Sequence, residues 1–259
     1  MNNFDTEKKM TYPSIFSEIP SPFVSEKYQF IRTSDVLETL MDLGWNTRKM
    51  SEVRARKPHT KGFQKHLIRL TNPGLSIGKS VGEEIPELIL TNSHNGKNSF
   101  SFKLGIYRLV CSNGLVIPVE EFANITIKHV GQMASQIKQV IEESTKTFPV
   151  IYKEIDKMKN RELTEREIRG FAKTASELRN PNLSKSLTVG LDQILEELRP
   201  QDSGNDLWKV YNRVQENLIN GNYEIKTKKG SRKGSSIKSI DNGIKINEGL
   251  WNLAKSYLD

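Results

Sequence analysis

Between Pro86 and Pro118 the chain can hardly be anything but an antiparallel meander. Asn92-Ser93-His94-Asn95-Gly96 is a turn signal, because Asn and Gly accept the positive φ of tight hairpins. From Ser99 to Ile106 the side chains then alternate. Phe100, Phe102, Leu104 and Ile106 share one face, and Ser101, Lys103 and Gly105 the other. A period of two is a strand with one buried face. Ser112-Asn113-Gly114 forms a second turn, and Leu115-Val116-Ile117 opens the next strand. The fold class that follows is α+β: a central antiparallel β-meander sheet packed by long helices, with a helical C-terminal part.

On the N-terminal side, residues 1–31 read as an arm. Pro13, Pro20 and Pro22 interrupt any helix, and Phe16, Ile19, Phe23 and Phe30 are expected to dock on the core. Ser34 is a candidate N-cap for a short helix from Asp35 to Leu43, with Val36, Leu37, Leu40 and Leu43 as its apolar stripe and Gly44 as its stop. Phe63 to Leu70 reads as a strand, with His66, Ile68 and Leu70 on one face and Lys65, Leu67 and Arg69 on the other. Alternation from Phe122 to Lys128 predicts a further strand.

A sheet core with a long helix is thus expected over 32–160. The helix runs from Gly131 to about Asn160, bent or interrupted at Phe148-Pro149. The helical part, 161–259, belongs to the same domain. Thr164-Glu165-Arg166-Glu167 has the spacing of a capping box and opens a helix to about Arg179, closed by Asn180-Pro181-Asn182. Leu187 to Leu198 carries another apolar stripe. Asp206 starts an amphipathic helix to Asn220, buried along Leu207, Val210, Tyr211, Val214 and Leu218 and stopped by Gly221. Asn247 is a candidate cap for a last helix burying Leu250, Trp251, Ala254 and Leu258. Trp45, Trp208 and Trp251 read as core residues.

Charge points to a partner. The formal net charge is +8. Residues 48–69 hold eight Lys or Arg and one acid, Glu52, so this window alone carries 8 − 1 = +7. Charge this concentrated marks a loop and strand that contact phosphates. The candidates are Arg48, Lys49, Arg54, Arg56, Lys57, Lys61, Lys65 and Arg69, with Arg108 and Lys128 nearby. Residues 226–238 form a second basic run, with six Lys or Arg and no acid. With its glycines and serines it reads as a flexible basic loop, and Lys228, Lys229, Arg232 and Lys233 join the nucleic-acid-binding candidates. Phe63 and Tyr107 are the candidates for stacking on bases.

Catalytic signals are sparse. Gly78-Lys79-Ser80 lacks the glycine of a phosphate loop, since Pro73 stands in its place. His66, His94 and His129 are weak catalytic candidates that fall, with Cys111, in one expected sheet. Their spacing matches no usual zinc pattern, so no metal is assigned, and no cofactor is implied. A nuclease would want clustered carboxylates; Glu83-Glu84-Glu87 is the nearest group and reads as a solvated loop. Cys111 reads as a buried thiol. A single cysteine fits a reducing compartment. No apolar run reaches the ~20 residues of a membrane span, and MNNFDTEKKM lacks a signal core. A cytoplasmic, soluble protein is expected.

Several pieces, in order, carry a resemblance. They are Lys65-His66-Leu67-Ile68-Arg69, Pro86-Glu87-Leu88, Asn92 to Gly96, Arg108 to Leu115, Lys128-His129-Val130-Gly131, Leu207-Trp208, Gln215-Glu216-Asn217-Leu218 and Leu250-Trp251. As a set they resemble domain of unknown function 932, a family of phage- and plasmid-like proteins. The resemblance implies a mobile element, in the company of recombination or anti-defence genes, and brings no reaction with it. Three readings stay open. One is a nucleic-acid-binding protein, favouring single-stranded DNA and annealing it in recombination. In that reading the two basic runs would form the walls of a groove, and a homo-oligomer is compatible. The second is an anti-defence protein that binds a host protein. The third is a metal-dependent nuclease.

Overall fold

The computed structural model describes residues 6–75, 84–108, 114–118, 133–181, 183, 188–227 and 230–258. Several sequence expectations lie outside these residues: the Gly78-Lys79-Ser80 triplet, Glu83, Cys111, the turn at Ser112-Asn113, the strand from Phe122, Lys128, His129, Lys228 and Lys229. The chain forms two compact units, Met1–Phe148 and Pro149–Asp259.

In the first unit, helices α1 (Thr6–Thr11) and α2 (Thr33–Asp42) precede five strands: β1 (Asn46–Glu52), β2 (His66–Thr71), β3 (Glu84–Asn92), β4 (Ser101–Arg108) and β5 (Gly114–Ile117). They pair antiparallel in chain order, β1-β2-β3-β4-β5. The meander is therefore as the alternation predicts, and it extends two strands upstream, through the expected strand β2 to β1. Gly96, at the β3–β4 turn, has φ 71°. Pairing aligns Ile68 with Leu90, Leu90 with Phe102, and Leu88 with both Leu70 and Leu104. These side chains are buried on one face of the sheet with Val36, Leu37 and Leu40 of α2.

The helix begins at Thr33, one residue before the candidate cap Ser34. Arg32 stands at the cap position, and no side chain caps it. The Thr33 hydroxyl is engaged elsewhere, as described below. Leu43 lies beyond the helix and is exposed, while Trp45 is fully buried.

The long helix α3 (Met133–Lys159) runs through Pro149 without a break. Pro149 removes one backbone donor, and the helix on either side is long enough to carry the loss. The boundary between the units falls at this residue.

The second unit contains α4 (Glu165–Arg179), β6 (Thr188–Val189), α5 (Leu191–Ile194), α6 (Leu207–Asn220), β7 (Glu224–Thr227), β8 (Gly230–Lys233) and α7 (Ile240–Lys255). The capping box is present. The Thr164 hydroxyl accepts from the Glu167 N–H at 3.3 Å, and the Glu167 carboxylate accepts from the Thr164 N–H at 2.8 Å. The carboxylate's bonds from the Thr164 N–H, from the Thr164 hydroxyl at 2.8 Å and from Arg161 hold the Glu167 carboxyl down at about 2. Asp206 caps α6, accepting from the Lys209 N–H at 2.9 Å, and Gly221 closes it in the left-handed region with φ 74°. Part of the run 226–238 is strand rather than loop: Lys226-Thr227 and Gly230–Lys233 belong to β7 and β8, which pair from Glu224–Lys233 to Thr227–Gly230, and residues 234–238 follow without regular structure.

Two expectations are corrected here. Asn247 caps nothing: α7 starts at Ser239, whose hydroxyl accepts from the Asn242 N–H. Asn247 is buried within the helix and takes a hydrogen bond from Gln215 Nε2 at 2.9 Å. Helix α6 is not amphipathic in its setting, because every residue from Leu207 to Leu218 except Lys209 is buried. Its polar side chains therefore need partners. Asn217 donates to the carbonyls of Ile194 and Glu196, both at 3.0 Å, and Glu216 accepts from Arg199.

A Cβ at Gly221 would lie 2.5 Å from the backbone carbon of Ser235. Gly221→Ala should therefore destabilise the 149–259 unit by more than the ~1 kcal/mol of a lost N-cap, and Thr164→Ala by about that amount. Urea unfolding followed by helix circular dichroism checks the order.

Candidate functional site

The first unit holds three polar constellations. Sequence placed residues in all of them but not their roles.

The first lies on the buried face of the sheet, at its end. Thr33 Oγ1 is 2.9 Å from His66 Nε2 and 3.4 Å from His94 Nε2, and it accepts from Asn92 Nδ2 at 3.1 Å. His66 Nδ1 is 3.2 Å from the Gln64 carbonyl, which can only accept. That nitrogen therefore carries the proton, and Nε2 accepts from the threonine. His94 lies 5.2 Å from the His66 ring and 4.8 Å from that of Phe30. Its Nδ1 has no partner at hydrogen-bond geometry among the described residues, and the nearby Ser14 backbone only partly opposes the effect of burial. Burial lowers His66 to about 3, aided by repulsion from His94, and lowers His94 to about 4. Both rings are fully buried and neutral. They have no carboxylate partner in their hydrogen bonds, and no described group of His, Cys, Asp and Glu can hold a metal. Two of the three catalytic candidates do come together, then, and what they make is a buried polar clamp around Thr33.

The second lies on the opposite face. Glu87 is fully buried, not part of a solvated loop. Its Oε1 accepts from Arg48 Nε at 2.8 Å and Nη2 at 2.6 Å, and its Oε2 accepts from Arg69. Register explains Arg48: it lies between Thr47, opposite Leu70, and Lys49, opposite Arg69, at a bulge. A bulge re-aims a side chain, here toward the face that carries Arg69. The Arg48 guanidinium also stacks 3.9 Å over the Tyr107 ring. With side chains only 17% and 12% exposed, Arg48 and Arg69 are committed to Glu87. Arg108 is buried too and engaged with other groups. Nothing in the spacing of Glu87 announces this role, apart from its place beside the continuous apolar run Leu88-Ile89-Leu90.

The third is the loop between β1 and β2. Arg54, Arg56, Lys57 and Lys61 are all exposed, with His59 among them, and residues 53–65 contain no acid. The loop is nevertheless held. Residues Pro58–Thr60 form a 3₁₀ turn, Gln64 Oε1 accepts from the Gly62 and Phe63 N–H groups, and Gln64 Nε2 donates to Glu52 at 2.8 Å. Glu52 also accepts from the Ser14 hydroxyl and N–H at 2.7 and 3.1 Å. Lys49 is exposed on β1, and Lys65 is half-buried on the approach to β2.

The arm departs from expectation at two residues. Ile15 is buried, and Phe30 packs on His94, but Ile19 and Phe23 are 64% and 75% exposed. The Phe23 ring lies 5.6 Å from that of His59, edge to face, on the basic loop. The stacking candidates from sequence fare differently: Tyr107 carries Arg48, and Phe63 is half-buried in the turn. In the second unit, Arg232 and Lys233 are exposed on the β7–β8 hairpin.

No described helix is long and apolar enough to cross a membrane. The family profile described as Domain of unknown function (DUF932) matches residues 22–251. Two relatives from Escherichia coli (strain K12), UPF0380 protein YafZ and UPF0380 protein YfjQ, are each 35% identical over 247 residues, covering 95% of this chain and 88% of the relative. No solved structure matches.

The histidine clamp makes stability depend on pH. Each imidazole takes its proton near pH 6.5 in the unfolded chain but only near pH 3 or 4 in the folded one. The stabilisation is therefore complete above pH 6.5 and lost as pH falls from there toward 4. The urea midpoint of the first unit should fall over this window, and less steeply in His66→Gln. Glu87→Gln should cost about 3–5 kcal/mol by stranding two guanidiniums; combining it with Arg48→Met and Arg69→Met should recover part of that loss in the same assay.

Proposed function

The chain belongs to the DUF932 family, and we propose that it binds nucleic acid, contacting backbone phosphates chiefly through the loop between β1 and β2. One observation carries this reading: four cations, Arg54, Arg56, Lys57 and Lys61, stand exposed on a braced loop with no acid among them. A basic loop tied to a protein's own carboxylates would serve the fold. Here that duty falls to Arg48 and Arg69 instead. Charges left on an ordered surface offer fixed positions to a polyanion, and released counterions drive the association.

The Arg232 and Lys233 hairpin supplies a second exposed basic surface in the other unit. Such contacts read the backbone and not the base edges, so binding is independent of sequence. Single-stranded DNA is the favoured ligand, and annealing in a recombination system is the activity that would follow. The buried His66 and His94 give no support to a nuclease step.

Fluorescence anisotropy with labelled oligonucleotides across a salt series tests the proposal, using nuclease-treated protein. Affinity should fall steeply with salt. Arg54→Glu with Arg56→Glu should weaken binding at least tenfold at low salt and reduce the log–log salt slope by about 1 for each lost phosphate contact. Arg232→Glu with Lys233→Glu should have a smaller effect. No binding by the unaltered protein at low salt refutes the reading and turns attention to a host-protein partner.

A further inference from the structure

We propose that Phe23 is a stacking platform for an unpaired base, and that this ring gives the phosphate-binding loop its preference for single strands. The inference rests on the nucleic-acid reading above and assigns a residue and a ligand chemistry to it.

The Phe23 ring is 75% exposed although its segment is ordered, and burying a ring of this size is worth roughly 2–3 kcal/mol. The segment is ordered by named bonds. The Ser21 N–H donates to the His94 carbonyl at 2.8 Å, and the Ser21 hydroxyl accepts from the Phe23 N–H at 3.3 Å. The Val24 N–H donates to the Ser21 carbonyl at 3.3 Å, and the Tyr28 hydroxyl donates to the Ser93 carbonyl at 3.0 Å. Phe23 thus sits at the apex of a turn clipped to the β3–β4 hairpin.

The basic loop is clipped to the same residue. The His94 N–H donates to the Phe63 carbonyl at 3.1 Å. One residue therefore fixes the ring on one side through its carbonyl and the cations on the other through its amide. The Phe23–His59 contact joins the two segments at the surface.

A ring beside several cations on a rigid mount is what a single strand asks for. Bases of an unpaired strand are free to leave their own stack and lie on an aromatic face, whereas those of a duplex are not. Phosphates on either side of such a base would meet the cations of the loop. Of the two aromatic rings that the sequence offers for stacking, Tyr107 is already covered by Arg48 and Phe63 is half-buried.

The test compares labelled dT20 with a duplex of the same length, for the full chain and for Phe23→Ala, Phe23→Leu and Phe23→Trp. Because the side chain is exposed, all three should unfold at the same urea concentration as the unaltered protein. Phe23→Ala and Phe23→Leu should each weaken single-strand binding about tenfold and leave duplex binding unchanged. Phe23→Trp should restore single-strand binding. If Phe23→Leu binds dT20 as well as the unaltered chain, or if both ligands weaken equally in Phe23→Ala, stacking is overturned. The phosphate reading then still stands, provided that Arg54→Glu with Arg56→Glu weakens binding at least tenfold. If the unaltered chain binds neither ligand, both readings fall.

Discussion

Thr33, wedged between two buried imidazoles, is the contact on which the first unit depends. A hydroxyl with no exposed surface must have all its hydrogen bonds made inside the protein. Here they join α2 through Thr33, β2 through His66 and β3 through Asn92. His94, just beyond β3, extends the same network to the arm and the basic loop through its backbone. Because every member is neutral at ordinary pH, the network escapes the cost of burying charge. It can therefore sit against apolar strands without a counter-ion. Gln64 and Glu52 form a second tier that holds the loop and Ser14 of the arm. The end of the sheet is thus braced by uncharged or outward-lying groups, and the segments braced there are those that carry the exposed cations and the exposed ring.

The opposite face solves a different problem with charge. Glu87 has no exposed surface and meets two guanidiniums, one of them held over an aromatic ring. Such a group is costly to break and does little to stabilise the fold against an apolar alternative of the same volume. It divides the basic window, which in the sequence looks uniform. Two arginines at strand positions are absorbed by the fold, and four cations at loop positions are not. The charge excess that suggests a polyanion is therefore narrower and better placed than the composition alone implies.

What was legible in the sequence was whatever depends on local chemistry. The alternation from Phe100 to Ile106, the Thr164–Glu167 box, Asp206 before α6 and Gly221 after it each act within a few residues, and each is found in the structure. What was hidden depends on distant partners. Ser34 resembles a cap better than Arg32 does, but Thr33 is drawn to the histidines. Asn247 looks like a cap until Gln215, from another helix, claims it. Glu87 looks like a solvated acid because the bulge that brings Arg48 to it cannot be read from spacing. Phe23 looks like an anchor because most aromatic rings in an arm are anchors. Only the bonds from Ser21 to His94 show that the turn is pinned with its ring outward. The run from Lys226 has the composition of a loop, yet part of it pairs as a hairpin.

Several of the pieces that carry the family resemblance fall on buried polar partners, while Leu207-Trp208 and Leu250-Trp251 are apolar core. His66, Asn92 and His94 form the clamp, and Glu87 and Arg69 the ion pair. Gln215, Glu216 and Asn217 satisfy neighbouring helices from inside α6. Polar groups in a core are specific about their partners in a way that apolar groups are not. A sequence motif made of them is therefore a signature of architecture. The loop with Arg54, Arg56, Lys57 and Lys61 lies outside every one of those pieces, and so does Phe23. Resemblance of this kind identifies the scaffold and is silent on the ligand, and the ligand has to be sought on the surface that the scaffold holds in place.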